Sequence, residues 1–400
     1  MPVQQVRATL PARVVLFIIR HPVVSSTTFV AMFLAGLLLM APKTAIKDTN
    51  PAYARAKDEF LIACNKEGQE LWKKHINRYY DLQRMSDFLQ RFPDKALAVI
   101  DVDGDGKNEI LAIFGDTGGM QLTNVILCFN GDGSERWRCD LHRTPTIGGV
   151  TYSDDWQFYL MCVGDFDRDG KLEIVAAAKH IAWFPNVLVR LNARDGSFVS
   201  EYWHNGMLHE FEHRDLDGDG VEELIFGGQN NRVQAACLAV FDPHKIEGAG
   251  PTPEAYKPKA VSVGSEKYYV IFPASDLQPF WRDITNEIRL INWKQNGRLE
   301  VVVNERIFVP ETQKDKPMES GGDLHFYLDR SLRCVDVRAS DSFTALHTRY
   351  KSLGKVHSEI DAAYLEKLRQ GVRYWDGEKF VNQLTMNMRY LEAMKQQPIP

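Results

Sequence analysis

The sequence lacks a basic excess and lacks closely spaced cysteines. Its 400 residues carry 48 Lys and Arg against 53 Asp and Glu, which gives a net charge of −5. Nucleic-acid-binding domains need a basic face, so this balance argues against a nucleic-acid partner. The six cysteines form no Cys-x-x-Cys motif, which excludes the zinc and redox motifs of that spacing. We expect free core thiols, and Cys128 and Cys139, which flank one predicted hairpin, are the best candidates for a disulfide.

Long uncharged stretches are also missing, with one exception near the N-terminus. No Asp, Glu, Lys or Arg occurs among the 22 residues between Arg20 and Lys43. As a helix this stretch would be about 33 Å long, enough to cross a bilayer. Three arginines and no acidic residue precede it, which places the N-terminus in the cytoplasm by the positive-inside rule. The sequence thus predicts a cytoplasmic tail at 1–22, a transmembrane anchor at 23–42 and a linker at 43–59.

A cleaved signal peptide is the alternative explanation of this stretch. The apolar run at 29–41 has the length of a signal-peptide h-region. However, Ala41 is followed by Pro42, and Lys43-Thr44-Ala45 lacks a small residue at its first position. The pattern favours a retained anchor and a single-pass membrane protein, and cleavage would make the protein secreted. In both cases we expect the remaining chain to be extracytoplasmic, either periplasmic or at the cell surface.

An acidic motif occurs four times, with starts separated by 64, 50 and 77 residues. Three copies read Asp-x-Asp-x-Asp-Gly-x-x-Glu, and a strand-like apolar run follows each copy. At average Asp and Gly frequencies, one such copy arises about once in 10⁵ positions, so three copies are not accidental. The acidic residues at positions one, three, five and nine are Asp101, Asp103, Asp105 and Glu109; Asp165, Asp167, Asp169 and Glu173; and Asp215, Asp217, Asp219 and Glu223.

This spacing is typical of a calcium site. Ca²⁺ takes six to eight hard oxygen ligands, and alternate Asp residues in a tight loop can turn their carboxylates inward. Glycine at position six allows the sharp bend, and the Glu at position nine closes the site from the next strand. The three loops therefore predict about three structural Ca²⁺ ions held by these twelve residues. The alternative is a set of solvated Asp-Gly turns.

Two details refine the metal prediction. An EF-hand needs an acidic residue at position twelve, where Ala112, Ala176 and Phe226 stand instead, and it needs flanking helices. An EF-hand is therefore excluded.

The fourth copy begins at Asn292 and carries Lys294 where the second Asp should be. We expect the ammonium group of this lysine to take the region of the cation, so that the loop keeps its shape without a metal.

Hairpins lie between the acidic loops and complete a repeating unit. An apolar strand, an Asp-Gly or similar turn and a second strand are typical of a hairpin. Short antiparallel strands in units of 50 to 77 residues favour an all-β fold, a β-propeller of five to seven blades at 60–390, followed by a tail at 391–400. We expect the first hairpin to complete the last blade and close the ring. The four hairpins lie at 61–72, 125–137, 187–203 and 372–381.

Two short helices are predicted as insertions on the propeller. Leu82, Met85, Leu89 and Phe92 have helical spacing before Pro93. A second helix is expected to begin near a capping box at 358–361 and to end at Gly371.

The loops resemble the FG-GAP (VCBS-type) repeats of integrin-α-like β-propellers, and Phe114-Gly115 and Phe226-Gly227-Gly228 follow two of them. The motifs span about 95–305. The resemblance implies calcium-binding loops on a propeller whose surface binds other molecules. It therefore implies a protein- or glycan-binding adhesion module that performs no chemistry, with up to seven blades.

Three enzyme classes compete with this interpretation. His209-Glu-x-x-His213 matches a zinc-protease motif, but its position before the third loop predicts a strand, on which the two histidines lie about 13 Å apart. A quinone-dependent dehydrogenase needs a central site that the sequence does not reveal. A calcium-dependent polysaccharide lyase is the main enzymatic alternative and needs a pocket of converging Arg, Lys, His or Tyr. A binding module needs exposed aromatic residues, for which the candidates are Trp156, Trp183, Trp203 and Trp281.

Overall fold

Antiparallel strands are the main regular secondary structure of the computed structural model. It describes residues 46–57, 60–75, 93–114, 125–181, 185–281, 283–307 and 320–395, together with Thr27, Val30 and Met32. Residues 49–400 form one unit, and residues 1–48 belong to another. The predicted anchor at 23–42 lies outside the described residues except at those three positions. In the described part of the chain, no helix is long and apolar enough to cross a membrane.

The strands form five sheets, which we number 1 to 5 along the chain, and a two-stranded ribbon. Sheet 1 consists of β1 (Tyr53–Lys57), β2 (Phe60–Cys64) and β3 (Glu70–His75). Sheet 2 consists of β4 (Leu97–Ile100), β5 (Glu109–Phe114), β6 (Val125–Phe129) and β7 (Glu135–Asp140). The ribbon consists of β8 (Thr146–Ile147) and β9 (Val150–Thr151).

Sheets 3 to 5 repeat this antiparallel order of four strands, and sheets 3 and 4 contain additional strands. Sheet 3 consists of β10 (Trp156–Gly164), β11 (Glu173–His180), β12 (Asn186–Asn192), β13 (Phe198–His204) and the parallel β17 (Gly248–Ala249). Sheet 4 consists of β14 (Leu208–Arg214), β15 (Glu223–Asn230), β16 (Ala235–Phe241), β18 (Tyr268–Ile271), β23 (Arg373–Trp375) and β24 (Phe380–Val381). Sheet 5 consists of β19 (Glu287–Trp293), β20 (Leu299–Ile307), β21 (Ser320–Leu328) and β22 (Cys334–Ala339).

The second strand of each repeat shows how the sheets stack. Successive side chains of a strand point to opposite faces of its sheet. In β5, Ile110 packs with Leu61 of sheet 1, whereas Leu111 packs with Ala176 of sheet 3. The same alternation joins sheet 3 to sheet 4 and sheet 4 to sheet 5. The sheets therefore pack face to face in the order 1 to 5, as blades do, and this burial on both faces explains the apolar runs of the second strands.

The predicted all-β class is confirmed, and the closed ring stays a prediction. Among the described strands, none pairs sheet 5 with sheet 1. The hairpin at 61–72 was expected to complete the last blade, but it pairs with β1 and forms its own sheet. β1 begins inside the segment predicted as a linker. The hairpin at 372–381 joins sheet 4, because β23 pairs with β18.

The two predicted helices differ in outcome. The helix expected at 82–92 lies outside the described residues, and a described helix begins at Pro93. The helix expected from Ser358 starts later, because the side chain of Asp361 accepts from the backbone amide of Tyr364 at 2.8 Å. It ends before Gly371, as predicted. The helices are α1 (Pro93–Ala96), α2 (Asp341–Ser352), α3 (Ala362–Gln370) and α4 (Met388–Lys395), with 3₁₀ turns at Glu254–Tyr256 and Gln278–Phe280.

The expected free thiols are confirmed, since all six cysteines are free. Cys128 lies opposite Trp137 rather than Cys139, so the candidate disulfide does not form.

One further expectation is wrong. Trp156 and Trp203 are buried, and their rings meet edge to face in the core 5.6 Å apart. Neither of them is available to a ligand on the surface.

Glu266 is a buried acid between β17 and β18. It is 1% exposed, and neither of its carboxylate oxygens accepts a hydrogen bond from the described residues. Burial raises its pKa to about 8. Because its ordinary pKa is near 4.5, the folded protein holds a proton on Glu266 at neutral pH that the unfolded chain releases.

We predict that this proton makes the protein less stable as the pH rises from 7 to 9. The folded state binds more protons than the unfolded state, so the free energy of unfolding falls with rising pH, by about 1 kcal/mol in this window. Urea unfolding at the two pH values measures the change. Glu266→Gln should reduce the decline. An equal decline in this variant would contradict the assignment. Measurements start at pH 7 in order to avoid the titration of His204. Burial lowers the pKa of His204 to about 4, so its protonation changes the free energy of unfolding only at lower pH.

Candidate metal sites

The acidic loops at 101–109, 165–173 and 215–223, called the first, second and third loops, each join the first strand of a blade to the second. In the first loop, Asp101 holds the turn with both of its carboxylate oxygens. One accepts from the amide of Gly104 at 2.7 Å and the other from the amide of Gly106 at 2.8 Å. Both glycines have positive φ, +78° and +85°, a region that disfavours other residues. The Asp-Gly pattern therefore specifies the loop conformation.

Within each of these loops, the acidic residues at positions one, three and nine come together. Their ligand oxygens lie within 4.8 Å of one another, in the sets Asp101, Asp103 and Glu109; Asp165, Asp167 and Glu173; and Asp215, Asp217 and Glu223. The structure thus brings together three of the four predicted ligands in each loop.

The acids at position five accept hydrogen bonds from backbone amides of the turn. Asp105 accepts from the amide of Lys107 at 2.8 Å, and Asp169 and Asp219 accept in the same way two residues ahead. These three residues close exposed turns and lie outside the converging sets. Their role as calcium ligands stays a prediction.

The glutamate at position nine is the most buried member of each set. Glu109, Glu173 and Glu223 are 2%, 6% and 1% exposed. In each case one oxygen accepts from the amide of the residue at position two. Burial raises the pKa of all three, to about 7 for Glu173, where the charge of Asp167 adds to the effect. Acids in this state are stabilised by a nearby cation.

The first aspartate differs between loops. Burial acts to raise the pKa of Asp101, but four backbone amides donate to it and its pKa is lowered. Among the described residues, Asp165 accepts from the amide of Gly170 at 3.2 Å, and its Oδ1 atom is buried without a hydrogen-bond partner. The second loop therefore has an acceptor that the surrounding protein does not satisfy.

A basic side chain reaches each acidic set from a strand of the same sheet, and sequence reasoning missed all three. Arg136 of β7 donates to Asp103 at 2.5 Å, and Arg190 of β12 donates to Asp167 at 3.1 Å. Lys267, just before β18, donates to Asp217 at 2.8 Å. These partners are 23 to 50 residues apart in sequence. In the sequence, a charged residue inside an apolar strand, as Arg190 is, can indicate such a partner of a buried acid.

In the fourth loop, at 292–300, the predicted approach of Lys294 to the acidic position is confirmed. The ammonium group of Lys294 lies 2.5 Å from Glu300, the residue at position nine. Glu300 also accepts from the hydroxyl of Tyr327 at 2.9 Å. The loop therefore neutralises its one remaining acid with its own lysine.

The predicted strand at the zinc-protease motif is also confirmed. His209 and His213 both lie on β14. His213 contacts Glu222 at 2.6 Å, and His209 is half-buried, so that burial lowers its pKa. The two histidines therefore have different surroundings on one strand.

Comparison with known proteins agrees with the geometry of the loops. Residues 101–176, which include the first two loops, match the FG-GAP-like repeat. The resemblance to FG-GAP repeats is therefore confirmed, and this part of the chain is an FG-GAP-like repeat segment. A comparison with curated proteins gives no match.

Solved structures with similar folds have low identity to the chain. The C-terminal domain of Pseudomonas aeruginosa PilY1 is 13% identical, with a TM-score of 0.40 over 70% of this chain and 58% of that chain. The Dos1 propeller is 10% identical, with a TM-score of 0.35 over 72% and 58%. A DUF4221 family member from Bacteroides vulgatus is 7% identical, with a TM-score of 0.29 over 70% and 74%. The chain thus spans a little over half the length of the first two.

The difference between Asp101 and Asp165 gives a testable prediction. In excess chelator, Asp101→Ala should lower the free energy of unfolding by about 1–2 kcal/mol, because the loop loses a network of backbone hydrogen bonds. Asp165→Ala should cost less than half as much, since it removes one weak bond and an unsatisfied acceptor. Urea unfolding of both variants measures this, and equal losses would contradict the assigned hydrogen bonding.

Proposed function

We propose that the chain is a non-catalytic binding module whose FG-GAP-like blades are stabilised by Ca²⁺. The converging carboxylates at positions one, three and nine carry this proposal. Carboxylate oxygens are the hard ligands that Ca²⁺ prefers. The second loop fits the ion best, because Asp165 offers a buried oxygen without a partner beside Asp167 and Glu173. Bound calcium would supply the positive charge that holds these acids together.

We further propose that the predicted helix at 23–42 anchors the protein, with the N-terminus in the cytoplasm and the blades outside. Calcium is abundant outside the cytoplasm, so an extracytoplasmic site would be filled without a dedicated supply. The length and flanking charges of this segment support the proposal.

A chelator should lower the thermal midpoint of the full chain, because the carboxylates then lose a cation. Asp167→Ala should reproduce part of this loss and should reduce the response to chelator. Differential scanning calorimetry with and without Ca²⁺ measures both effects.

Asp132→Ala is the matched control for this experiment. Asp132 also belongs to an Asp-Gly turn, but it accepts from Ser134 in the hairpin between β6 and β7. This variant should keep the full response to chelator. An unchanged melting curve of the metal-stripped wild type would refute the calcium proposal.

A cleft near the C-terminus suits a glycan ligand. It has a volume of about 650 Å³ and lies between β22, α3 and the hairpin of β23 and β24. Arg333, Gln370, Asn382 and Gln383 line it beside apolar Val372. Amide groups both donate and accept, as sugar hydroxyls require, and a guanidinium group pairs with a carboxylate. We therefore propose an acidic glycan as the ligand, with a protein partner as the alternative.

The same cleft favours binding over polysaccharide cleavage. Tyr374 lines it, but its hydroxyl donates to Leu332 O at 3.1 Å and accepts from the amide of Cys334 at 3.3 Å. Burial raises the pKa of Tyr374 to about 12, so its hydroxyl stays protonated at neutral pH and the phenolate that would act as the base is scarce. Arg369 is held by two hydrogen bonds to Glu366. Two of the groups that a lyase could use here, Tyr374 and Arg369, are therefore already engaged.

Arg333→Ala should weaken glycan binding at least tenfold, because it removes the guanidinium group that would pair with an acidic sugar. A glycan array with the full chain identifies the ligand, and titration of the variants gives the affinities. Arg349→Ala, on the exposed face of α2, should bind as the wild type does. Capture of a protein instead of a glycan would favour the alternative, and release of an unsaturated sugar would establish the lyase.

A further inference from the structure

The third loop differs from the first two in the kind of cation that meets its acids. Lys267 brings a compact ammonium group, whereas Arg136 and Arg190 bring flat guanidinium groups. An ammonium group is close to a point charge with donors in three directions, and a guanidinium group binds along one edge. The two groups therefore occupy an acidic site differently.

The distances show this difference. Lys267 Nζ lies 2.8 Å from Asp217 and 2.5 Å from Glu223, so it bonds both acids at once. Arg190 lies 3.1 Å from Asp167 but 3.8 Å from Glu173, which is beyond hydrogen-bond length. The ammonium group thus sits between two members of the acidic set, where a metal ion would have to sit.

Other contacts keep Lys267 in this position. Its amide donates to Val240 O of β16 at 2.7 Å, and its carbonyl accepts from the amide of Asn387 at 3.0 Å. Its ammonium group also lies 5.9 Å from the ring of Tyr390 in α4. Lys267 is only 6% exposed as a side chain, so it cannot turn into water without breaking buried contacts. An exposed lysine such as Lys171, which is 73% exposed, has no such restraint.

The fourth loop provides an independent example of the same chemistry. Its acids at positions one, three and five are replaced, and Lys294 neutralises the Glu300 that remains. A lysine therefore serves as the cation in a loop of this fold. In the third loop the acids are intact, but a lysine from outside the loop has the same contact with the glutamate at position nine.

We propose that Lys267 replaces the divalent cation in the third loop, so that the chain binds two Ca²⁺ ions instead of the three that the sequence predicts. The number two rests on the proposed calcium function of the first and second loops. The replacement in the third loop rests on the contacts of Lys267 alone.

Calcium stoichiometry of the full chain tests this proposal. Equilibrium dialysis should give two ions per wild-type chain and three per Lys267→Met chain, because the substitution keeps the bulk of the side chain and removes its charge. Lys294→Met is the matched control and should leave the number at two, since its loop has lost the acids at positions one and three. Equal stoichiometry of the Lys267→Met variant and the wild type would overturn the proposal.

A second pair of variants keeps the test decisive if Lys267→Met does not fold. Asp217→Asn should leave the number of bound ions unchanged, whereas Asp167→Asn should remove one. Loss of an ion in Asp217→Asn would overturn the proposal. A wild type that binds no calcium would refute the proposed function, but a gain of one ion in Lys267→Met would still support the replacement by lysine.

Discussion

The burial of a glutamate at the start of a second strand is the constraint on which this structure depends. Glu109, Glu173, Glu223 and Glu300 occupy the same position in four sheets and are 1% to 6% exposed. A carboxylate removed from water needs hydrogen bonds and a positive charge close by. Backbone amides donate hydrogen bonds to the glutamate in three loops, and a basic side chain approaches the glutamate in all four loops.

The stacking of the sheets explains why these acids cannot reach water. Each second strand in sheets 2 to 4 is covered on both faces, as the opposite packing of Ile110 and Leu111 shows. A glutamate that begins such a strand lies at the edge of two apolar clusters. Only the loop and the outer strands of the same sheet remain beside it. The cation must therefore come from the loop, from a neighbouring strand or from solution.

The local features of this fold could be predicted from the sequence, and the distant ones could not. The Asp-Gly loops, the strand at His209 and the helix end at Gly371 depend on neighbouring residues, so short motifs were sufficient. The position of the first hairpin depends on its pairing with β1, and the contact of Lys267 with Glu223 spans 44 residues. Such contacts follow from the register of whole strands, which no short motif contains. The acids at positions one, three and nine converge as the spacing indicates, and the ligand role of the acids at position five stays a prediction.

A lysine and a calcium ion can each neutralise the buried glutamate, but the two cations stabilise the protein under different conditions. The stabilisation from a bound ion grows with its free concentration, whereas a lysine is always present at its site. On the proposed assignment, sheets 2 and 3 depend on calcium, and sheets 4 and 5 do not. Sheets 4 and 5 also share an apolar cluster that includes Ile225 and Val301. On this assignment, the two loops without a metal ion belong to the part of the chain that shares this core, and we expect that part to stay folded where calcium is scarce.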